Sequence, residues 1–167
     1  LGCGNGSLTA LLAKRGDAVG VDSSESGIEL ARKTHRGVTF EVRSIYEPLD
    51  GEFGRFDLVV STEVIEHLFD PRRFLVVANR LLPDGGRILL STPYHGYLKN
   101  LALAVTGKLD AHFTALWDGG HIKFFSIATL TEVLEEKGFA VEKVLRVGRV
   151  PFLAKSMIFV ARKVRDA

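Results

Sequence analysis

The chain has 167 residues, 46% apolar and 25% charged, ordinary values for one globular domain able to bury a core. With 22 Lys and Arg against 20 Asp and Glu the formal charge is +2, which gives no general electrostatic case for a nucleic-acid partner. A single cysteine excludes an internal disulfide, no apolar run reaches the roughly 18 residues that span a bilayer, and no signal peptide is visible, so a cytoplasmic protein is expected.

The chain does not begin with Met and opens on what reads as the last residue of a strand, so we expect a fragment with its first strand truncated. Leu1-Gly2-Cys3-Gly4-Asn5-Gly6-Ser7 is a glycine-rich turn, followed by a predicted helix over 7–15 with Leu8, Leu11 and Leu12 on one face and Gly16 as its stop. An apolar run over 18–21 closes as a strand on Asp22. Ser24 then caps a helix through Lys33, carrying Ile28, Leu30 and Ala31, with Gly37 ending the connection. Residues 38–42 alternate as a strand, 44–55 form a loop with Pro48, Gly51 and Gly54, and 56–61 form the next strand. After a helical region over 63–68, Asp70 and Pro71 supply a cap and a first-turn proline for a helix reaching Leu82. Residues 83–86 turn into a strand over 87–91.

Beyond Thr92 the rhythm changes. Residues 97–105 read as a short apolar helix and 107–125 as an irregular aromatic stretch of the kind that usually carries function. Ser126 caps a helix through Lys137, Gly138 stops it, and strands over 139–147 and 157–162 should pair antiparallel as a hairpin. This alternation predicts an α/β fold, a doubly wound Rossmann-like sheet of parallel strands with a C-terminal antiparallel hairpin. The expected organisation is one domain over 1–167, with a substrate-covering insertion at about 94–125.

Three alternate glycines let a backbone bend tightly and a ligand approach it, and the helix behind them favours an anionic group. Asp22, at the end of the next strand, is placed for ribose hydroxyls. Dinucleotide enzymes require G-x-G-x-x-G, hence glycine at position 7, where this chain has Ser7. The pattern G-x-G-x-G with Asp22 resembles the class I S-adenosylmethionine-dependent methyltransferases. The segments Phe56-Asp57-Leu58-Val59-Val60-Ser61 into Glu63-Val64-Ile65-Glu66-His67-Leu68, then Leu81-Leu82-Pro83-Asp84-Gly85-Gly86 and His121-Ile122-Lys123-Phe124-Phe125-Ser126, are similar to its small-molecule branch, including ubiquinone-biosynthesis-type O-methyltransferases.

The resemblance implies S-adenosylmethionine as cofactor and methyl transfer to a small-molecule acceptor, at oxygen, with an apolar or lipid-like acceptor among the candidates. It implies that Gly2, Cys3, Gly4 and Gly6 line the methionine portion and that Asp22, with Ser23 beside it, holds the ribose. Ser44 and Ile45 would flank adenine through their backbone, since many relatives have Asp where Ser44 stands. Ser61 and Thr62 would face the methionine ammonium and the reaction centre. A nicotinamide-dependent oxidoreductase and a noncatalytic cofactor-binding domain are the alternatives. Nucleic-acid methylation is disfavoured, because Ser61-Thr62-Glu63-Val64 replaces the proline-aromatic motif of those enzymes.

A hydroxyl acceptor needs its proton removed, and histidine is the natural base near neutral pH. His121, in the irregular stretch, is the first candidate, followed by His67 and His95; His67 also reads as a partly buried structural residue, and His35 as solvated. Asp110, His112, Asp118 and His121 fit no metal-ligand spacing, so no metal is assigned. Cys3 reads as packing near a ligand rather than as a catalytic thiol. Leu98, Leu101, Leu103 and Val105 either pack on the sheet, roof an apolar acceptor pocket or touch a membrane. Arg146, Arg149, Lys155, Arg162, Lys163 and Arg165 read as a solvated surface with a basic tail.

Overall fold

The computed structural model describes residues 1–167, which fall into two units, Leu1–Gly54 and Arg55–Ala167. In the first, the glycine turn leads into α1 (Ser7–Leu12), β1 (Val19–Asp22), α2 (Glu25–Thr34), β2 (Thr39–Val42) and the short α3 (Asp50–Phe53). β1 and β2 pair in parallel, with Val19 opposite Thr39 and Asp22 opposite Val42. Parallel pairing needs a crossover, and α2 supplies it. This helix starts where Ser24 accepts a hydrogen bond from the Gly27 N–H. Ile28 and Ala31, three residues apart and so on one helix face, are fully buried with Phe40, and Cys3, Val38 and Val42 pack around them. Leu30 lies off that face and is exposed.

Phe40 dictates where glycine is required. A Cβ on Gly20 would fall 2.7 Å from its ring and one on Gly6 2.6 Å, so both positions are bare because the ring fills their space. α1 ends at Leu12, capped at Ala13, and not at the predicted 15; residues 13–15 continue as turns, so Gly16 is not its stop. The expected apolar face of α1 is also reversed: Leu8 and Leu11 are exposed, and Thr9 is the buried residue.

The second unit contains β3 (Leu58–Thr62), a 3-10 turn (Ile65–His67), α4 (Pro71–Arg80), β4 (Arg87–Pro93), α5 (Tyr97–Val105), α6 (Leu109–Phe113), α7 (Ile127–Glu136), β5 (Phe139–Val147), a second 3-10 turn (Pro151–Leu153) and β6 (Ser156–Lys163). Its four strands run β3-β4-β6-β5. β3 and β4 are parallel, and β6 runs antiparallel to both neighbours, as the predicted hairpin requires. Caps fall where the sequence placed them. Asp70 accepts from the Arg73 N–H, and Ser126 forms a reciprocal capping box with Thr129. Gly138, at φ 79, takes the chain out of α7 in the left-handed region, and a Cβ there would also collide with the Arg165 carbonyl.

The core of this unit is built from Phe74, Leu75 and Ala78 of α4, Leu130 and Leu134 of α7, and Ile88, Leu90, Phe139 and Phe159 of the strands. Each large apolar side chain removed from water contributes about 1.5–3 kcal/mol. β6 buries alternate residues, Met157, Phe159, Ala161 and Lys163, and that period of two corrects the reading of the basic tail at Lys163, while Arg146, Arg149, Lys155 and Arg165 are exposed as expected. Lys163 is 1% exposed, and its ammonium donates to the Asn79 and Leu82 carbonyls and pairs with Asp166 at 2.7 Å. Arg162 pairs with Glu142, and Arg165 donates to the Glu135 carbonyl.

The stretch predicted as irregular holds α6, a short helix the sequence pattern did not reveal. Of the α5 residues expected to pack on the sheet, Leu98, Leu101 and Val105 are exposed and Leu103 is half-buried. No helix is long and apolar enough to cross a membrane.

Candidate functional site

In the first unit the predicted turn residues come together. Gly2, Gly4 and Gly6 adopt φ values of 71, 50 and 76, in the left-handed region that side chains disfavour. The Gly2 and Cys3 N–H groups both donate to the Val21 carbonyl, at 2.8 and 3.0 Å. Asp22 closes the arrangement: one carboxylate oxygen accepts from the Gly4 N–H at 2.8 Å and the other from the Ser24 N–H at 2.9 Å. Ser23 lies exposed between them.

Two features test whether a sulfonium nucleoside suits this cradle. A Cβ on Gly4 would meet nothing within 4 Å, so the turn presents bare backbone to open space there, whereas Gly6 is filled from within by Phe40 and Ala31. Each carboxylate oxygen of Asp22 keeps a further lone pair after its backbone bond, enough to accept from vicinal ribose hydroxyls. The residues fit the group. α1, with six residues, is too short to add much dipole to the site.

Cys3 is half-buried, and burial, followed by the nearby Asp22 charge, pushes its thiol pKa up, away from a reactive thiolate. Ser44 is largely committed to its own turn. Its N–H donates to Glu47, its carbonyl accepts from the Glu47 N–H, and its hydroxyl accepts from the Tyr46 N–H. Ile45 sits half-buried in the same turn, which Arg43 braces through two bonds to Glu52. His35 is not fully solvated, since its half-buried ring lies 6.2 Å from that of Phe40.

In the second unit, Ser61 and Thr62 end β3. Ser61 is buried with its hydroxyl unpartnered. The next residue, Glu63, takes φ 53, a strained value for a side chain of its size. Ser91 on β4 holds it there: the Glu63 N–H donates to the Ser91 carbonyl and hydroxyl, and that hydroxyl donates to the Glu63 carboxylate at 2.7 Å. Nothing in the sequence marked this clamp, because glutamate gives no signal for a left-handed bend.

The 3-10 turn carries Glu66 and His67. The Glu66 carbonyl accepts from the Ile122 and Lys123 N–H groups, each at 2.9 Å. His67 Nδ1 faces the Gly119 and Gly120 carbonyls at 3.0 and 3.2 Å, so that nitrogen donates to them. His121 is thereby held against the turn, its ring centroid 4.8 Å from His67 and its Nε2 4.0 Å from the Glu66 carboxylate. Burial first, then the His67 charge, lower the His121 pKa. Glu66 is fully buried with both carboxylate oxygens unpartnered, and burial raises its pKa. Ligand atoms of Glu66, His67 and His121 lie within 4.8 Å of one another, a donor set able to hold a divalent ion. The sequence reading did not group them, because residues 66 and 121 meet only through the fold.

His95 sits elsewhere, in an aromatic cluster. It is stacked on Phe113 at 5.9 Å and edge-on to Phe124 at 5.1 Å, with Nδ1 unpartnered. Burial, with Lys99 and His112 adding to it, lowers its pKa to about 4, which makes it a weak base.

The chain is 40% identical over 112 residues to a ubiquinone biosynthesis O-methyltransferase of Methylococcus capsulatus, covering 64% of this chain and 47% of that protein. It is 34% identical over 146 residues to the enzyme of that name from Dinoroseobacter shibae, covering 83% and 57%. The chain thus spans about half the length of these curated relatives. Among solved structures, magnesium protoporphyrin IX methyltransferase from Synechocystis PCC 6803 with bound SAH superposes with a TM-score of 0.71 at 20% identity, covering 97% of this chain and 71% of that one. A Bacillus halodurans putative methyltransferase gives 0.76 at 18% identity, covering 98% and 90%. At such identities the likeness concerns the fold. A family model described as a methyltransferase domain matches residues 1–144, from the glycine turn into β5, and the chain belongs to that family.

Proposed function

We propose that this chain transfers a methyl group from S-adenosylmethionine to a hydroxyl of a small, apolar acceptor of the quinone-precursor kind. The observation that carries the reading is the Asp22 carboxylate drawn onto the Gly4 N–H beside an open, side-chain-free backbone. The names of the curated relatives support oxygen as the methylated atom and a quinone precursor as the acceptor class. One family match running through both units supports reading them as parts of a single methyltransferase domain, with residues 94–125 serving the acceptor.

S-adenosylmethionine supplies a methyl carbon already activated by a sulfonium, so the protein's task is to bind, orient and move a proton. In the first unit, Gly2, Cys3, Gly4 and Gly6 would hold the methionine portion. Asp22, with Ser23 beside it, would accept from the ribose hydroxyls, and Ser44 and Ile45 would border the base. In the second unit His121 takes the acceptor hydroxyl proton. Its lowered pKa keeps the imidazole neutral at pH 7, and so able to accept. His67, tied to two carbonyls, holds the segment that carries His121.

The test is incubation with methyl-labelled S-adenosylmethionine and a panel of catechols, phenols, amines and thiols. Label on hydroxyl acceptors, lost in His121→Ala with cofactor affinity kept, supports the reading. Label confined to amines or thiols overturns it.

A further inference from the structure

Two of the basic residues near the C-terminus that make no ion pair line a cavity. Arg149 and Lys155 line a space of about 460 Å³ in the second unit, together with Lys99, Lys108 and His112. That volume lies within the roughly 300–1,000 Å³ usual for small-molecule sites. No carboxylate lines it. The ion pairs made by this unit's carboxylates, at Asp84, Glu136, Glu142 and Asp166, do not reach Lys108, Arg149 or Lys155.

Lys108, Arg149 and Lys155 are exposed at the cavity's edge and have no carboxylate partner. Lys99 is 6% exposed, and its ammonium is satisfied by the Tyr94 carbonyl at 2.7 Å, not by a counter-ion. Burial and then the Arg149 charge lower its pKa, as expected where cations converge without an anion. His112 adds an independent sign: its side chain lines the same cavity, and its buried Nε2 has no hydrogen-bond partner. A buried polar atom without a partner costs stability unless a ligand or water satisfies it. The remaining wall is Ala102, Leu103, Leu153 and Thr106, whose hydroxyl is committed to the Ala102 carbonyl at 2.6 Å.

We infer that this cavity binds a small amphiphilic acid, its carboxylate or phosphate head held by Lys108, Arg149, Lys155 and the His112 imidazole, its hydrocarbon part lying along Ala102, Leu103 and Leu153. The Arg149 guanidinium, a planar fork of donors, suits an oxyanion of either kind. The inference stands on the cavity alone and does not depend on the methyl-transfer reading.

Calorimetric titration of the protein without S-adenosylmethionine tests it, with octyl phosphate below its micelle concentration as the probe. Inorganic phosphate, octanol and octyltrimethylammonium are the comparison arms. Octyl phosphate should bind one to one, about tenfold or more tighter than any of the three, a difference of about 1.4 kcal/mol or more. The double variant Lys108→Ala/Arg149→Ala should lose at least that factor, and Arg149→Lys should retain part of the affinity. Lys33→Ala, on the exposed side of α2, should bind as the unaltered protein does. Far-UV circular dichroism confirms that each variant is folded. Equal binding of octanol would overturn the charged head, and equal binding of inorganic phosphate would overturn the apolar part. Undiminished binding by the folded double variant would remove the site.

Discussion

Two glycines of the opening turn share a backbone conformation but differ in what surrounds them, so the same substitution should have opposite signatures. Gly6→Ala forces an L side chain into φ 76 and puts its Cβ 2.6 Å from the Phe40 ring and 2.8 Å from the Ala31 methyl. The left-handed backbone costs about 1–2 kcal/mol and overpacking about 1–3 kcal/mol, together about 2–5 kcal/mol. That is a large share of the about 5–15 kcal/mol that holds a domain folded. Gly4→Ala, at φ 50 with nothing within 4 Å, should cost only the backbone part, about 1–2 kcal/mol. Its new methyl, however, occupies the open face on which the cofactor would lie, and affinity for S-adenosylmethionine should fall about tenfold or more. Urea denaturation followed by far-UV circular dichroism reads the first effect, and calorimetric titration the second. The reasoning fails if Gly6→Ala proves no less stable than Gly4→Ala, or if Gly4→Ala binds the cofactor as tightly as the unaltered chain.

Other outcomes follow from the same contacts. Ser126→Ala removes the capping box of α7 and should lower the urea-unfolding free energy by about 1 kcal/mol. His95 is neutral in the fold, with its pKa lowered to about 4 against 6.5 when unfolded. The unfolded chain therefore binds more protons in that window, and stability should fall as pH drops from 6.5 toward 4. His95→Phe should flatten the pH dependence of the urea midpoint there, leaving the smaller slope from His112 and His121, which burial shifts the same way. His121→Ala should lower kcat far more than cofactor affinity, and unchanged turnover would retire it as the base.

What could be read from the sequence was local. Caps at Ser24, Asp70 and Ser126 and the stop at Gly138 act within a few residues, and the structure places them as the pattern indicated. The Asp22 position was legible for the same reason, as the end of a short apolar run. The misses depended on partners distant in the chain. Lys163 looked solvated because its carbonyl partners at 79 and 82 are invisible from position 163. The proximity of Glu66 to His121, the Ser91 clamp on Glu63 and the cationic cavity under α5 each join segments that sequence spacing does not connect. Leu8 and Leu11 show the converse error, since an apolar helical period states which residues share a face, not that the face is covered.

The nucleoside cradle at the glycine turn is tested most directly by calorimetry with S-adenosylmethionine and NADH on the unaltered chain and on Asp22→Asn. The amide keeps one acceptor but turns an N–H₂ toward the Gly4 or Ser24 N–H and the ribose. The account predicts one-to-one heat with S-adenosylmethionine, none with NADH, and affinity lowered about tenfold or more in the variant. Heat with NADH alone, or an Asp22→Asn chain that binds S-adenosylmethionine undiminished, would contradict it.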